Sequence, residues 1–158
     1  MRQEQQEVEA FHDKFGFPNG RDLRKEPDGV FPSGFGKGLR IMAEGLIPLA
    51  ISQGEMGDER MRRCQLILEE LSEVFEALDA KDPLALADAL GDALYVILGT
   101  GATYGIPCEE VFTAIHASNM SKSRDDGDSR MKAKDPERGY FPPNLRLVLQ
   151  RSSMYKEV

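Results

Sequence analysis

One predicted helix, residues 84–104, constrains the fold more than any other part of the chain. Its sequence, LALADALGDALYVILGTGATY, is apolar or small on every side, and its only charges are Asp88 and Asp92. A helix that is apolar all round belongs in a protein core. The two aspartates lie about 40° apart on one face, and buried like charges destabilise a fold unless they are protonated or paired. The sequence therefore predicts a buried helix whose charged pair needs a partner.

The preceding predicted helix, from residue 59 to about residue 80, carries a second acidic group, Glu69-Glu70-Leu71-Ser72-Glu73. On a helical wheel, Glu70 lies within the apolar arc, Glu73 at its margin and Glu69 farther out. Acids on two consecutive helices suggest a shared cation, and ligands that are all oxygen select Mg²⁺ or, as a second choice, Mn²⁺. The predicted metal ligands are Glu69, Glu70, Glu73, Asp88 and Asp92.

The whole chain has the composition of an ordinary globular protein. Its 158 residues suit one domain, 1–158, and its net charge of −7 argues against binding to nucleic acid or to an acidic membrane surface. The two cysteines form no disulfide framework, and the charged N-terminus is not a signal peptide. Because no uninterrupted apolar run of roughly 18 residues occurs, we expect no membrane span and a cytoplasmic location.

Helix signals recur along the rest of the chain. Asp58, Asp82-Pro83 and Asn144 are predicted helix starts, and Pro107 opens another helix. No convincing strand pattern occurs. We therefore predict an all-α fold, a four-helix-bundle core with short peripheral helices.

Three segments of the chain lie outside this core. Residues 16–38 are rich in Gly and Pro and read as loop, followed by a helix over 39–54 that Pro48 should kink or divide. A P-loop around Lys37 is excluded because Phe31 and Gly38 occupy its required Gly and Ser/Thr positions. Residues 123–139 are polar and predicted to be a mobile loop with the basic residues Arg130, Lys132 and Lys134. The first predicted helix, residues 3–15, carries Phe11, His12 and Phe15 near one face. We predict that these side chains either pack in the core or contact the base or a phosphate of a nucleotide.

The segments EELSE, DALGDALYV, IHASNMSK and GYFPPNL together resemble the all-α nucleoside triphosphate pyrophosphohydrolase superfamily, in particular its MazG-like and phosphoribosyl-ATP pyrophosphohydrolase-like members. The similarity is weak over 5–20, clear over 60–145, and absent from 22–58, which looks like an insertion. It implies hydrolysis of a nucleoside triphosphate to the monophosphate and pyrophosphate, with Mg²⁺ held by an ExxE and an ExxD motif. ExxE falls on Glu70 and Glu73. Asp92 supplies the aspartate of ExxD, but Ala89 stands where its glutamate should be, so Asp88 is the candidate substitute.

The resemblance also implies an asparagine and a lysine near the phosphates, here Asn119 and Lys122, and a site built between subunits of a homodimer or homotetramer. Our hypothesis for the mechanism gives catalytic roles to Glu69, Glu70, Glu73 and Lys122. Glu69 or Glu73 would accept a proton from the attacking water, and Lys122 with the basic residues of 123–139 would stabilise the leaving pyrophosphate. Removal of unwanted nucleotides from the cellular pool would be the role.

Other readings of the same residues remain open. A di-iron carboxylate bundle needs Glu-x-x-His on two helices, whereas this chain has it once, at Glu9 and His12. A nucleotide-sensing or partner-binding module without turnover is supported by Ala89, and the substrate could be phosphoribosyl-ATP. The preferred base of a nucleotide substrate is not determined by the sequence.

Overall fold

A computed structural model describes residues 2–27, 31–51, 58–125, 128–152, 155 and 157, with the backbone alone for 49–51, 124, 125 and 128–132. Six helices dominate these residues. They are α1 (Arg2–Phe15), α2 (Phe35–Ile51), α3 (Glu59–Ala80), α4 (Pro83–Thr103), α5 (Cys108–Met120) and α6 (Leu145–Arg151). The helical content confirms the predicted all-α class, whereas the four-helix bundle stays a prediction.

One strand pair departs from the prediction that no strands occur. Strands β1 (Ser123–Asp125) and β2 (Asp128–Ala133) pair antiparallel, with Ser123 opposite Ala133. The prediction of a loop here was wrong because we weighed only the polarity of 123–139. Asp126-Gly127, a dipeptide typical of tight hairpin turns, lies between the strands and was the available signal, although its own conformation lies outside the described residues. Short 3₁₀ turns occur at Leu23–Lys25 and Pro136–Arg138.

The chain divides into two compact units, one formed by Met1–Arg21 with Gly101–Val158 and the other by Asp22–Thr100. The single domain therefore stays a prediction. In the first unit, α1 packs against α5 and α5 against α6. Phe15 is buried in this unit at 3% exposure, and its ring lies 4.7 Å from that of Phe11.

In the second unit, α2 packs against α3. The rings of Phe35 and Phe75 are 4.9 Å apart, and Gly36 brings the backbone of α2 close to Ser72 and Glu76 of α3. The helix begins at Phe35, before the predicted start at residue 39, and it continues through Pro48 without division. We assigned this first turn to a loop because of its glycines. A side chain at residue 36 would collide with α3, so glycine allows this turn of α2 to pack against α3 as helix.

The helices α3 and α4 run antiparallel. Near the start of α3, the guanidinium of Arg63 lies 3.4 Å from the position that a Cβ of Gly99 would take, and at the other end Ala77 and Ala85 border one cavity. In the turn between α3 and α4, Asp82 begins the second helix as the sequence predicts. Lys81 ends α3 in the left-handed conformation, and the Asp82 carboxylate accepts hydrogen bonds from the amides of Leu84 and Ala85, at 2.9 and 3.2 Å. Asp58 likewise caps α3, and Asn144 caps α6.

The prediction that α4 is buried on all sides was wrong for the single chain. Ala89 and Ala93 are buried, but six larger apolar residues on this helix are exposed, by 44–81%: Leu84, Leu90, Leu94, Tyr95, Ile97 and Leu98. Within the second unit, the enclosed side of α4 is the one that bears Ala89 and Ala93. By length and composition alone, α4 could also cross a membrane, a test that core helices of soluble proteins also pass.

The two glycines near the start of α2 provide a matched test of the α2–α3 packing. A Cβ at residue 36 would lie 2.8 Å from the Ser72 carbonyl oxygen and 3.0 Å from the Glu76 amide nitrogen, whereas a Cβ at residue 38 would meet nothing within 4 Å. We expect Gly36→Ala to lower the unfolding free energy by about 1–3 kcal/mol, because the backbone of α3 cannot yield without repacking.

Gly38→Ala should instead raise the unfolding free energy by roughly 0.5–1 kcal/mol, through helix propensity alone. Urea unfolding followed by circular dichroism measures both changes. Equal effects of the two substitutions would show that α2 does not pack on α3 through Gly36.

Candidate metal-binding site

Glu70 is the centre of the acidic group on α3. It is partly buried at mid-helix, as its position in the apolar arc predicts. Burial raises the pKa of Glu70 above its ordinary value, and the nearby carboxylates of Glu73, Asp92 and Glu69 raise that pKa further. Asp92 belongs to α4, so the two helices bring their acids close enough to repel one another. One aspartate of α4, Asp92, therefore lies near the acids of α3 in the second unit.

The neighbours of Glu70 on α3 differ in their partners. The Glu69 carboxylate accepts a hydrogen bond of 3.3 Å from the Gln65 amide. Ser72, which lies between Glu70 and Glu73 in the sequence, is fully buried. Its hydroxyl donates to the Glu69 carbonyl oxygen at 2.6 Å. Glu73 lies 3.7 Å from Nη2 of Arg40, a residue of α2. The acidic face of α3 is thus partly neutralised by a cation from the neighbouring helix.

Sequence reasoning missed this cation and the residue that holds it. Arg40 donates two hydrogen bonds to the Glu76 carboxylate, from Nε at 3.2 Å and from Nη2 at 2.9 Å. Glu76 follows Glu73 by three residues, which places both on one side of α3. That spacing was the signal for Glu76. No comparable signal marked Arg40, because its role depends on the packing of α2 against α3.

The aspartates of α4 are both exposed in the single chain, contrary to the prediction that they are buried. Asp88 lines a cavity of about 360 Å³ together with Arg40, Glu73, Glu76 and Asp82, and Asp92 lies close enough to raise the pKa of Glu70. Ala89, at the position of the expected ExxD glutamate, is 3% exposed. The two aspartates are exposed because the side of α4 that bears them is not the side of small residues that is enclosed.

The donor chemistry of this group fits Mg²⁺. Its side chains offer carboxylate oxygens, which are hard ligands, and the repulsion at Glu70 would be relieved by a cation. Among the described residues, no three His, Cys, Asp or Glu side chains already converge around one point that could hold an ion. Mg²⁺ commonly uses only one or two protein carboxylates and takes its other ligands from water and substrate phosphates. The residues therefore fit an ion that binds together with a phosphorylated substrate.

The predicted phosphate-binding residues lie in the first unit, at the end of α5. The Lys122 ammonium donates to the side-chain oxygen of Asn119 at 2.6 Å, so these two residues form one polar group. Beside them in sequence, the Lys14 ammonium donates to the Met120 carbonyl oxygen. The Ser118 hydroxyl donates to the Phe141 carbonyl oxygen at 2.8 Å, which attaches the GYFPPNL segment to α5.

The other predicted substrate-binding residues are more dispersed. Phe15 is buried, Phe11 packs on it, and the His12 imidazole lies 3.0 Å from the Asn19 side-chain oxygen. These contacts suit a structural role in the first unit. Lys134 is exposed, whereas the side chains of Arg130 and Lys132 lie outside the described residues.

Residues 48–119 match the model of the phosphoribosyl-ATP pyrophosphohydrolase family. That range contains Glu69, Glu70, Glu73, Asp88 and Asp92, the acids whose proximity is described above. That family is part of the all-α nucleoside triphosphate pyrophosphohydrolase superfamily, so residues 48–119 are similar to members of that superfamily. The match supports pyrophosphohydrolase activity on nucleotides and leaves the substrate open. No curated protein and no solved structure matches the chain.

The environment of Glu70 predicts how its replacement changes stability. Because its pKa is raised in the folded chain, the charged form disfavours folding. This destabilisation is absent below the ordinary pKa of 4.5 and grows as pH rises through the higher folded value. In metal-free buffer, we expect Glu70→Gln to raise the unfolding free energy at neutral pH and to change it little below pH 4.5.

Chemical unfolding in the presence of a chelator, at the two pH values, measures this difference. Glu44→Gln, at an exposed carboxylate of α2, is the control and should show no such pH-dependent gain. A Glu70→Gln chain that is less stable than the native chain at neutral pH would contradict the assignment of repulsion at this residue.

Proposed function

We propose that the protein hydrolyses a ribo- or deoxyribonucleoside triphosphate to the monophosphate and pyrophosphate in a Mg²⁺-dependent reaction. The observation that carries the proposal is the proximity of Glu73, Asp92 and Glu69 to the partly buried Glu70, whose pKa they raise together with burial. These acids lie in the region that matches a pyrophosphohydrolase family. Removal of unwanted nucleotides from the cellular pool would suit this activity.

The residues would divide the work between metal binding and proton transfer. Glu70, Glu73, Asp92 and Asp88 would hold Mg²⁺, which supplies charge neutralisation for the phosphates. Glu69, whose carboxylate accepts a hydrogen bond of 3.3 Å from Gln65, would accept a proton from the attacking water. Fixed spacing on two helices supports this arrangement, since phosphoryl transfer depends chiefly on positioning and electrostatics.

Asn119 and Lys122 would bind substrate phosphate. Their hydrogen bond holds the ammonium and the amide of the pair together, so one phosphate oxygen could receive a hydrogen bond from each. An ammonium group is a common ligand of phosphate. This role is independent of the metal ligands and can be tested with its own variant, Lys122→Met.

Phosphoribosyl-ATP is the second candidate substrate, and the family match supports it equally. It carries the same triphosphate chain, so the acidic group would serve either reaction. A module that binds nucleotide without turnover is the third reading. The buried alanine at position 89 favours it, because that position lacks an expected metal ligand.

Pyrophosphate release from a panel of nucleoside triphosphates and phosphoribosyl-ATP, with Mg²⁺, tests the proposed activity. We expect release from at least one nucleoside triphosphate, abolished by a chelator. Glu70→Gln and Asp92→Asn should each lower kcat/KM by at least about a hundredfold, since positioning and charge stabilisation supply most of the catalysis.

Glu44→Gln is again the matched control and should keep native activity. Because Glu70→Gln is expected to be at least as stable as the native chain, its loss of activity would not reflect unfolding. Release from phosphoribosyl-ATP alone would select the second candidate. Tight nucleotide binding without any release would select the third.

We also propose that a second copy of the chain covers the exposed face of α4, in a homodimer or homotetramer. The exposed apolar residues form one broad face, a feature that commonly marks an interface. A bilayer is a poorer occupant because Asp88 and Asp92 at the helix centre would each cost about 2.5–3.5 kcal/mol there. This cost favours a soluble assembly over a membrane-embedded one, and we propose the cytoplasm as its location.

The mass of the particle in solution tests this interface. We expect an oligomer by light scattering coupled to gel filtration, and we expect Leu94→Asp to dissociate it, because a charge would be buried in the apolar contact. Leu94→Met, which keeps size and polarity, should leave the oligomer intact. A native chain that is monomeric at all concentrations would exclude this interface.

A further inference from the structure

Arg40 lies beside the acids of α3, and its contacts with them involve only part of its guanidinium group. Its guanidinium forms a two-bond fork with Glu76, through Nε and Nη2. Nη2 also lies 3.7 Å from Glu73. No hydrogen bond joins Nη1 of Arg40 to any residue in the described part of the chain, and the side chain keeps 34% of its surface exposed. One edge of a positioned guanidinium is therefore open.

Arg40 lines the cavity of about 360 Å³ beside α3 and α4. The charged residues that line it are Arg40, Glu73, Glu76, Asp82 and Asp88, and Arg40 is the one basic residue among its described lining. An anionic ligand would be repelled by the four acids unless a cation met it there. A guanidinium suits this task because its planar N–H groups match phosphate oxygens in pairs.

We propose that Arg40 is a substrate-binding residue that contacts the phosphate chain of the nucleotide through its free edge, and that Glu76 positions it. The inference rests on the proposed function, and it adds a phosphate ligand from α2. Arg40 precedes residues 48–119, so the matched family region does not include it. The fork with Glu76 fixes the side chain before substrate arrives, which lowers the entropy lost on binding.

A purely structural role is the rival explanation, since the Arg40–Glu76 pair also joins α2 to α3. Arg40→Met and Glu76→Gln both remove that pair, so a structural role predicts similar effects of the two changes on stability and on ligand binding. The proposal predicts a difference. Glu76→Gln leaves a guanidinium at the cavity, whereas Arg40→Met leaves no cation there.

The decisive measurement is the calorimetric affinity for inorganic pyrophosphate in Mg²⁺ buffer, on variants shown to be folded by circular dichroism. We expect Arg40→Met to raise Kd by at least about tenfold, the usual effect of losing a hydrogen bond to a charged group. Glu76→Gln should raise Kd several-fold less, and Arg40→Lys should fall between the native chain and Arg40→Met. For the best nucleotide, KM should rise in the same order.

Lys37→Met is the matched control, since Lys37 is an exposed cation on the same helix that lines a neighbouring cavity. Its Kd for pyrophosphate should stay within about twofold of native, because that difference is small beside the loss of a charged hydrogen bond. Equal Kd values for Arg40→Met and the native chain, or equal losses in Arg40→Met and Glu76→Gln, would overturn the proposal. If Arg40→Met does not fold, a native Kd for Arg40→Lys would overturn it, since lysine lacks the fork.

Different results would overturn the proposed activity and the proposed role of Arg40. A native chain that neither binds pyrophosphate nor releases it from any substrate would overturn both the function and the role of Arg40. A native chain that turns over nucleotide while Arg40→Met keeps the native KM and Kd would overturn the role of Arg40 alone.

Discussion

The candidate site in the second unit depends on a carboxylate that is partly buried beside other acids. Glu70 is partly buried on α3 with three acids near it, and the charged form of its side chain is disfavoured for that reason. A chain selected for stability alone would replace such a residue with an apolar one. Its presence amid an apolar arc supports our proposal that a ligand supplies positive charge to this site.

The packing of α2 on α3 sets how much of that repulsion is offset within the chain itself. Gly36 allows the two backbones to approach, and this approach brings Arg40 to Glu76 and Glu73. The pair is only partly buried, so its contribution to stability is small compared with its effect on geometry. The close contact at Gly36, where no side chain intervenes, thus places the Arg40 guanidinium beside the acids of α3.

The helices and their ends were largely predictable because their causes are local. Asp58, Asp82 and Asn144 cap helices as expected, since a short polar side chain before a helix satisfies amides that have no intrahelical partner. Glu70 in the apolar arc of α3 was also predictable from periodicity. The first turn of α2 and the pairing of β1 with β2 were missed, because glycine and polarity were read as loop signals where packing and strand pairing decided otherwise.

By itself, the sequence determined the helical class, the helix ends and the acidic composition of the site, since each depends on residues within a few positions of one another. Tertiary structure decided which acids meet across α3 and α4, that Arg40 reaches Glu76, and that α4 keeps an apolar face exposed in the single chain. These features join residues far apart in sequence. Their distances follow from how helices pack, which no local pattern encodes.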